Sequence, residues 1–315
     1  MWNRLGDWFF KREDPRTAAA IRISFCLTYL LILWDFYPAM PLLFGKRGLF
    51  GTMEPLPYAL DGWRTLLFRF DDGRSLEIWF WLSVTAALCG MLGFVTRPAL
   101  VLTFYSMLLF RERGPYITFG ADLVLNCLGM LLLFSRCGSV WSLDSLFRKR
   151  RARPLCLIEN WPVRAIQVQV ALIYLITGLK KLGTTPWQDG SAVYYAIQVG
   201  NVVKGVQPTF LVHQHVMMAA LTYFTLALEI GFTLLVFQPQ TRWFALLSGI
   251  ALHTGIDCFM SIRFFSLAMY VGYLSFLTAE DWDWVTKQAE NAKQRVRLAL
   301  LERRLLLPKP VAGLG

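Results

Sequence analysis

Residues 161–190 read WPVRAIQVQVALIYLITGLKKLGTTPWQDG. From Trp161 to Leu182 the run is mostly apolar and closes on two adjacent lysines, Lys180 and Lys181. About 20 apolar residues in a helix match the hydrocarbon thickness of a bilayer, so this is a membrane span. On a helical repeat Gln167, Tyr174, Thr177, Gly178 and Lys181 form one polar stripe, at spacings of three, four and seven. Lys180 points about 100° away, toward Ile173 and Ile176. The spacing predicts that Lys181 faces protein, whereas Lys180 snorkels to the interface as an anchor.

The remainder of the 315-residue chain has the same character. It is 56% hydrophobic and 17% charged, against about a quarter charged in soluble domains. Aromatic residues reach 15%, which suits interfacial Trp and Tyr. The net charge of +11 reads as basic loops facing anionic headgroups. No basic module interleaved with aromatics lies outside the apolar runs, so a nucleic-acid partner is not expected. Four of the six cysteines (Cys26, Cys89, Cys127, Cys137, Cys156 and Cys258) fall in apolar runs as small hydrophobes, and their spacing suggests no metal site.

Eight apolar segments follow, at about 17–36, 76–96, 97–110, 117–135, 161–182, 216–237, 242–259 and 262–278. The fold class is therefore an all-α polytopic bundle of about eight spans. Residues 1–16 form an N-terminal interfacial segment, 17–280 the transmembrane domain, and 281–315 a basic amphipathic tail. With both termini inside, the inner segments carry Arg4, Lys11, Arg12, Arg16 and the FRKRRAR run at 147–153. The tail adds Lys287, Lys293, Arg295, Arg297, Arg303 and Arg304. The outer loops, the 37–75 connection and Lys204 among them, hold fewer, as the positive-inside rule requires.

Charged groups within spans mark candidate sites. Glu229 lies mid-span with Thr222, Thr225 and Thr233 on its face, either as partner to a base or as glue between helices. His253 and Asp257 stand at i and i+4, so the acid can orient the imidazole. Asp122 and Asn126 form another such pair. Arg22 is a turn and a half into the first span and close enough to the surface to snorkel. Asp122, Lys181 and His253 all fall in the outer halves of their helices, as one outward-opening cavity would require. Lys181, His253, Asp122 and Glu229 are expected to share it.

Several motifs carry a family resemblance over about residues 15–280. They are AAIRISFCLTYLLILWD, CGMLGFVTRPALVL, VWSLDSLFRKRRAR, YLITGLKKLGTTPWQDG and LHTGIDCFMSIRFFSLAMY. In these the chain resembles the HTTM (horizontally transferred transmembrane) superfamily, which includes the membrane domain of vitamin K-dependent γ-glutamyl carboxylase. The resemblance implies that Lys181 is a base acting on reduced vitamin K or another quinol. His253 and Asp122 then complete the catalytic set. Lys180, Tyr174, Glu229, Asp257, Trp187 and Arg22 support it or bind substrate. Carboxylases carry a histidine near the start of the fourth span, where this chain reads ITFGADL, and they continue into a large extracytoplasmic region.

The expected function is a carboxylase-like, quinol-dependent membrane enzyme of lyase or oxygenase type. It would act at the outer side of a bacterial cytoplasmic (inner) membrane. The alternative is a non-redox membrane factor for maturation or export of a secreted peptide or toxin. Partners are the lipid bilayer and, in either reading, a secreted peptide substrate; no metal is expected. Reporter fusions at Thr209 and Gly315 should give opposite signals, and an extracytoplasmic Gly315 would overturn the orientation.

Overall fold

The computed structural model describes residues 2–44, 48–49, 73–114, 120–149, 157–199 and 213–306. Cys156, Lys204, the 150–153 part of the basic run, most of the 37–75 connection and the start of the fourth apolar segment lie outside them. The chain falls into two compact units, Met1–Phe276 and Leu277–Gly315.

Eight helices of the first unit correspond to the eight apolar segments. They are α2 (Arg16–Phe36), α4 (Gly73–Leu92), α5 (Thr96–Arg113), α6 (Gly120–Leu133), α8 (Trp161–Leu182), α11 (His215–Leu235), α12 (Arg242–Phe259) and α13 (Phe265–Tyr273). Between them lie short helices, α3 (Met40–Phe44), α7 (Leu143–Lys149), α9 (Thr185–Gln188) and α10 (Ala192–Ala196), and α1 (Trp2–Phe10) precedes them. Among the described residues four helical stretches are long and apolar enough to cross a membrane: Arg16–Phe44, Gly73–Leu92, Trp161–Leu182 and His215–Leu235. Gly120–Leu133 and Phe265–Phe276 are apolar but shorter.

Gly120–Leu133 and Phe265–Tyr273 each pack on several other helices. The α6 helix packs on α2, α5, α8 and α13, and α13 packs in turn on α2, α8 and α12. They join a group of α2, α4 and α5 to a group of α8, α11 and α12.

The corner between α4 and α5 is built around Arg22, which does not snorkel: it is fully buried. Its Nη1 donates to Gly90 O at 2.7 Å and Met91 O at 3.1 Å, and its Nη2 donates to Trp141 O at 2.5 Å. Gly90 and Met91 belong to the last turn of α4, whose carbonyls lack helical partners and carry the negative end of the helix dipole. The chain then turns through Gly93 at φ +69° and Val95 at φ +45°. At Gly93 a side chain would collide with Ser142 and the Arg22 guanidinium. Asp144 reaches across 49 positions to close the other half of the turn. Its Oδ1 accepts from Val95 N at 2.9 Å, and its Oδ2 accepts from Thr96 N at 2.8 Å and Thr96 Oγ1 at 2.7 Å. A carboxylate at the α5 N-terminus satisfies orphan amides and complements the dipole.

At the N-terminus Arg12–Glu13 pairs antiparallel with Ile158–Glu159, a two-residue ladder that hydropathy does not signal. Glu13 bonds both Arg164 and Asn160, and Arg164 lies over the Trp8 ring at 4.7 Å. These contacts tie α1 to the start of α8. In the second unit α14 (Ala279–Leu306) begins at a reciprocal cap. Asp281 Oδ2 accepts from Thr278 N and Oγ1, and Asp281 N donates to Thr278 Oγ1.

Arg22→Ala should be among the most damaging substitutions, at about 3 kcal/mol, because it removes a buried charged donor shared by the Gly90, Met91 and Trp141 carbonyls. Asp144→Ala should cost about 1–2 kcal/mol, as a lost cap does. Thermal unfolding in detergent measures both. Losses no larger than that of exposed Arg12→Ala would refute the corner's role.

Candidate functional site

The α8 stripe is anchored at its lower end by Gln167, which accepts from Arg164 at 3.0 Å and donates to Ser275 O at 2.5 Å. Two turns on, Tyr174 stacks on Phe232 of α11 with ring centroids 4.1 Å apart. Its hydroxyl lies 3.0 Å from His253 Nε2 of α12 and also bonds the Tyr273 hydroxyl of α13. Three helices thus meet α8 at one phenol. Thr177, expected on this stripe, is exposed, and its hydroxyl folds back on the Ile173 and Tyr174 carbonyls.

At Gly178 the stripe has no side chain, and α11 comes close. A Cβ there would stand 2.9 Å from Ile230 Cγ1, 3.2 Å from Glu229 Cβ and 3.2 Å from the Ile230 backbone nitrogen. One turn later this approach lets Lys181 reach Glu229. The ammonium forms an ion pair with Glu229 Oε1 and sits 4.4 Å from the Trp187 ring centroid. The Glu229 side chain is 9% exposed and that of Lys181 28%, so the acid is held in protein while the amine has one open side. Glu229 Oε2 is buried and accepts no hydrogen bond. Lys180 is exposed, as the helical geometry predicts.

The turn after the lysines positions Trp187. Pro186 lies in the first turn of α9, Gln188 Nε2 donates to Leu182 O at 2.8 Å, and Tyr223 of α11 donates to Gln188 O at 3.0 Å. Asp189 accepts from the Ser191 hydroxyl and amide, which hold its carboxyl below the usual carboxylate range. Val193 N donates to Thr222 Oγ1, a hydroxyl on the Glu229 helix. Trp187 is thereby tied through its own turn to the helix that carries the acid.

Two expected pairings are not formed. Asp257 does not orient His253: the described partner of Nε2 is the Tyr174 hydroxyl, and buried Nδ1 has no hydrogen-bond partner. The His253 ring lies among Phe265, Tyr270 and Tyr273, with centroids 5.4–6.3 Å away. Asp122 likewise does not pair with Asn126, whose buried Oδ1 and Nδ2 both lack partners. The i, i+4 rule brings side chains onto one face, but contacts from other helices decide what each one bonds.

Of the four residues expected to share one cavity, Asp122 lines one whose walls do not include Lys181, His253 or Glu229. That cavity, of about 230 Å³, is also lined by Tyr29, Asp35, Arg111 and Arg263. The Phe265 ring lies against the His253 ring and would be 3.1 Å from a Cβ at Gly120, at the start of the helix that carries Asp122. Arg22 is far from this chemistry in role, since its donors hold backbone at the α4–α5 corner. Tyr273, Phe232 and Trp187 complete the local structure. Only Trp187 is marked by a motif, because Tyr273 and Phe232 read as ordinary residues of apolar helices.

Lys181→Met would leave the Glu229 carboxylate without its partner, at a cost of about 2–4 kcal/mol given the half-open site. Adding Glu229→Gln should recover a large part, with a coupling on the order of 1–3 kcal/mol. Thermal unfolding of the wild type, two single variants and double variant measures it, and strictly additive losses would reject a direct pair.

No curated protein and no solved structure matches the chain. A family model described as HTTM domain matches residues 10–282, a span that holds α2 to α13 and the Lys181, Glu229 and His253 positions. The chain belongs to the HTTM domain family, whose members include vitamin K-dependent carboxylase.

Proposed function

We propose that this protein is a carboxylase-like membrane enzyme in which Lys181 is the base. Its substrate would be a quinol or a similar membrane-embedded molecule. The observation that carries the reading is the Lys181–Glu229 pair: a lysine at a helix end, roofed by Trp187 and partly open, bonded to an acid held in protein. A purely structural pair needs no open side.

The residues suit a molecule with an acidic hydroxyl on a flat apolar ring. Leu179, Leu182 and Ile176 are exposed beside the lysine pair, so a lipid-dissolved ring can approach the amine laterally. Glu229 Oε2 is a second acceptor, buried and unbonded. When bound, a quinol would supply the acidic hydroxyl and the reducing electrons. Glu229 can take the proton from Lys181, leaving an amine with a free lone pair, and that amine can accept a proton from a bound hydroxyl. Trp187 holds the ammonium form through its ring face. Tyr174 lies seven residues before Lys181, roughly 10 Å along the axis. Among the described hydrogen bonds the Tyr174 hydroxyl joins His253 and Tyr273, and none of the three bonds Lys181 or Glu229.

A second reading follows from Asp122 lying in its own cavity and His253 being tied to Tyr174. Here the lysine–glutamate pair is interhelical glue in a non-redox factor that matures or exports a secreted peptide. In both readings the protein resides in a bacterial cytoplasmic membrane with both termini inside.

Activity in cells, or quinol oxidation in detergent, separates the two at matched expression. Lys181→Ala should lower it on the order of 100- to 10,000-fold, the range for a general base. Lys180→Ala, which is exposed, should change it little. Equal losses from both would make the pair a charge patch. No quinol-dependent turnover in the wild type would favour the second reading.

A further inference from the structure

At the end of the bundle that holds the α4–α5 corner is a cavity of about 540 Å³. It lies away from Lys181 and Glu229, and neither lines it. Its walls are the start of α5 (Val95, Thr96, Arg97, Pro98), the loop after α6 (Ser135 to Ser139) and Asp144. We propose that this cavity binds the headgroup of an anionic phospholipid, gripped between the guanidiniums of Arg97 and Arg136.

Charge comes first. Two arginines and one carboxylate line the cavity. The carboxylate is committed to the corner, because Asp144 accepts from Val95 N, Thr96 N and Thr96 Oγ1. Ser135 and Ser139 donate their hydroxyls to Leu132 O and Arg136 O, so both are tied to their own loop. The arginines remain as the donors for a ligand. Both are exposed, and among the described residues neither takes part in an ion pair. A guanidinium presents a planar fork that fits phosphate oxygens in pairs.

The rim then selects the source of the phosphate. Leu92, Phe94, Val95 and Phe134 flank the cavity in the chain, and each is about half exposed or more, at 54%, 46%, 49% and 59%. Leu92 and Phe134 stand at the ends of α4 and α6, where membrane helices meet the headgroup layer. A charged mouth bordered by an apolar rim fits an amphiphile, with its phosphodiester on the arginines and its acyl chains along the aromatic residues. A free phosphate has no use for that rim. An anionic lipid is preferred to a zwitterionic one because the two guanidiniums outnumber the committed carboxylate.

The test uses the full-length protein in nanodiscs of phosphatidylcholine containing a minor fraction of phosphatidylglycerol. Native mass spectrometry after release counts the phosphatidylglycerol retained. The wild type should retain about one molecule in preference to phosphatidylcholine. Arg97→Gln with Arg136→Gln should weaken retention about tenfold or more, equivalent to about 1.4 kcal/mol. The corresponding pair of Arg→Lys substitutions should fall between, since charge is kept and the fork is lost. Arg12→Gln, a surface arginine elsewhere, should change nothing. Thermal unfolding in phosphatidylcholine alone checks that the double variant is folded; both side chains are exposed, so it should melt with the wild type. Unchanged retention in the folded double variant would overturn the proposal. An equal loss from Arg12→Gln would overturn it in favour of diffuse surface charge, and displacement by millimolar inorganic phosphate in favour of a free-anion site.

Discussion

A guanidinium enclosed by backbone carbonyls is the constraint on which this bundle depends. Arg22 has no carboxylate to neutralise it among its described hydrogen bonds; it is solvated by Gly90, Met91 and Trp141 carbonyls instead. Those carbonyls come from the end of one helix and from a loop some 50 residues further on. In water they would be hydrated, but in a membrane protein they must find donors within the chain. The arginine therefore replaces solvent at a helix end, and its charge is set against the negative pole of the α4 dipole. Asp144 does the complementary work at the positive pole of α5. One cation and one anion thus close a tight turn without meeting each other in a described ion pair.

The same need for internal partners shapes the other end of α8. Gly178 removes the side chain that would keep α8 and α11 apart, and the space gained is used by the Lys181–Glu229 contact. Trp187 follows because its turn is bonded back to α11 through Tyr223 and Thr222. The glycine, lysine and tryptophan of the motif serve one piece of geometry: close approach, charge, and a ring over the charge. Deeper in, the Tyr174, His253 and Tyr273 group joins α8, α12 and α13, and Phe232 of α11 is stacked on it. Both tyrosine hydroxyls and His253 Nε2 are bonded to each other, with only buried Nδ1 left over, while the Lys181 pair keeps an open side. This difference in closure is what separates the two groups as sites.

The two ends of the bundle therefore handle charge differently. At the corner end, buried charge is bonded to backbone and exposed arginines border a cavity. At the lysine end, charge is paired side chain to side chain, and a further cavity brings Asp35, Asp122, Arg111 and Arg263 together, with Asp35 and Arg263 in contact at 2.5 Å.

By itself the sequence determined the helical class, the places of the eight apolar segments and the different exposure of Lys180 and Lys181. Each is a one-dimensional property: length and hydropathy set where a helix can enter hydrocarbon, and a fixed 100° step sets which neighbour faces in. Trp187 lies in the lysine-pair motif and Asp144 in the VWSLDSLFRKRRAR motif, both quoted for the family resemblance. Which groups bond which was decided only in three dimensions. His253 has an acid four residues on, yet its partner is a tyrosine 79 positions away. Asp122 is in the same half of the bundle as Lys181, yet it lines a cavity that neither Lys181 nor His253 lines. Arg22 is near enough to an end to snorkel, yet it is buried at a corner. The reason is common to all three. Periodicity fixes the face a residue occupies on its own helix, whereas the partner that satisfies it is supplied by another helix whose rotation and depth are set by packing.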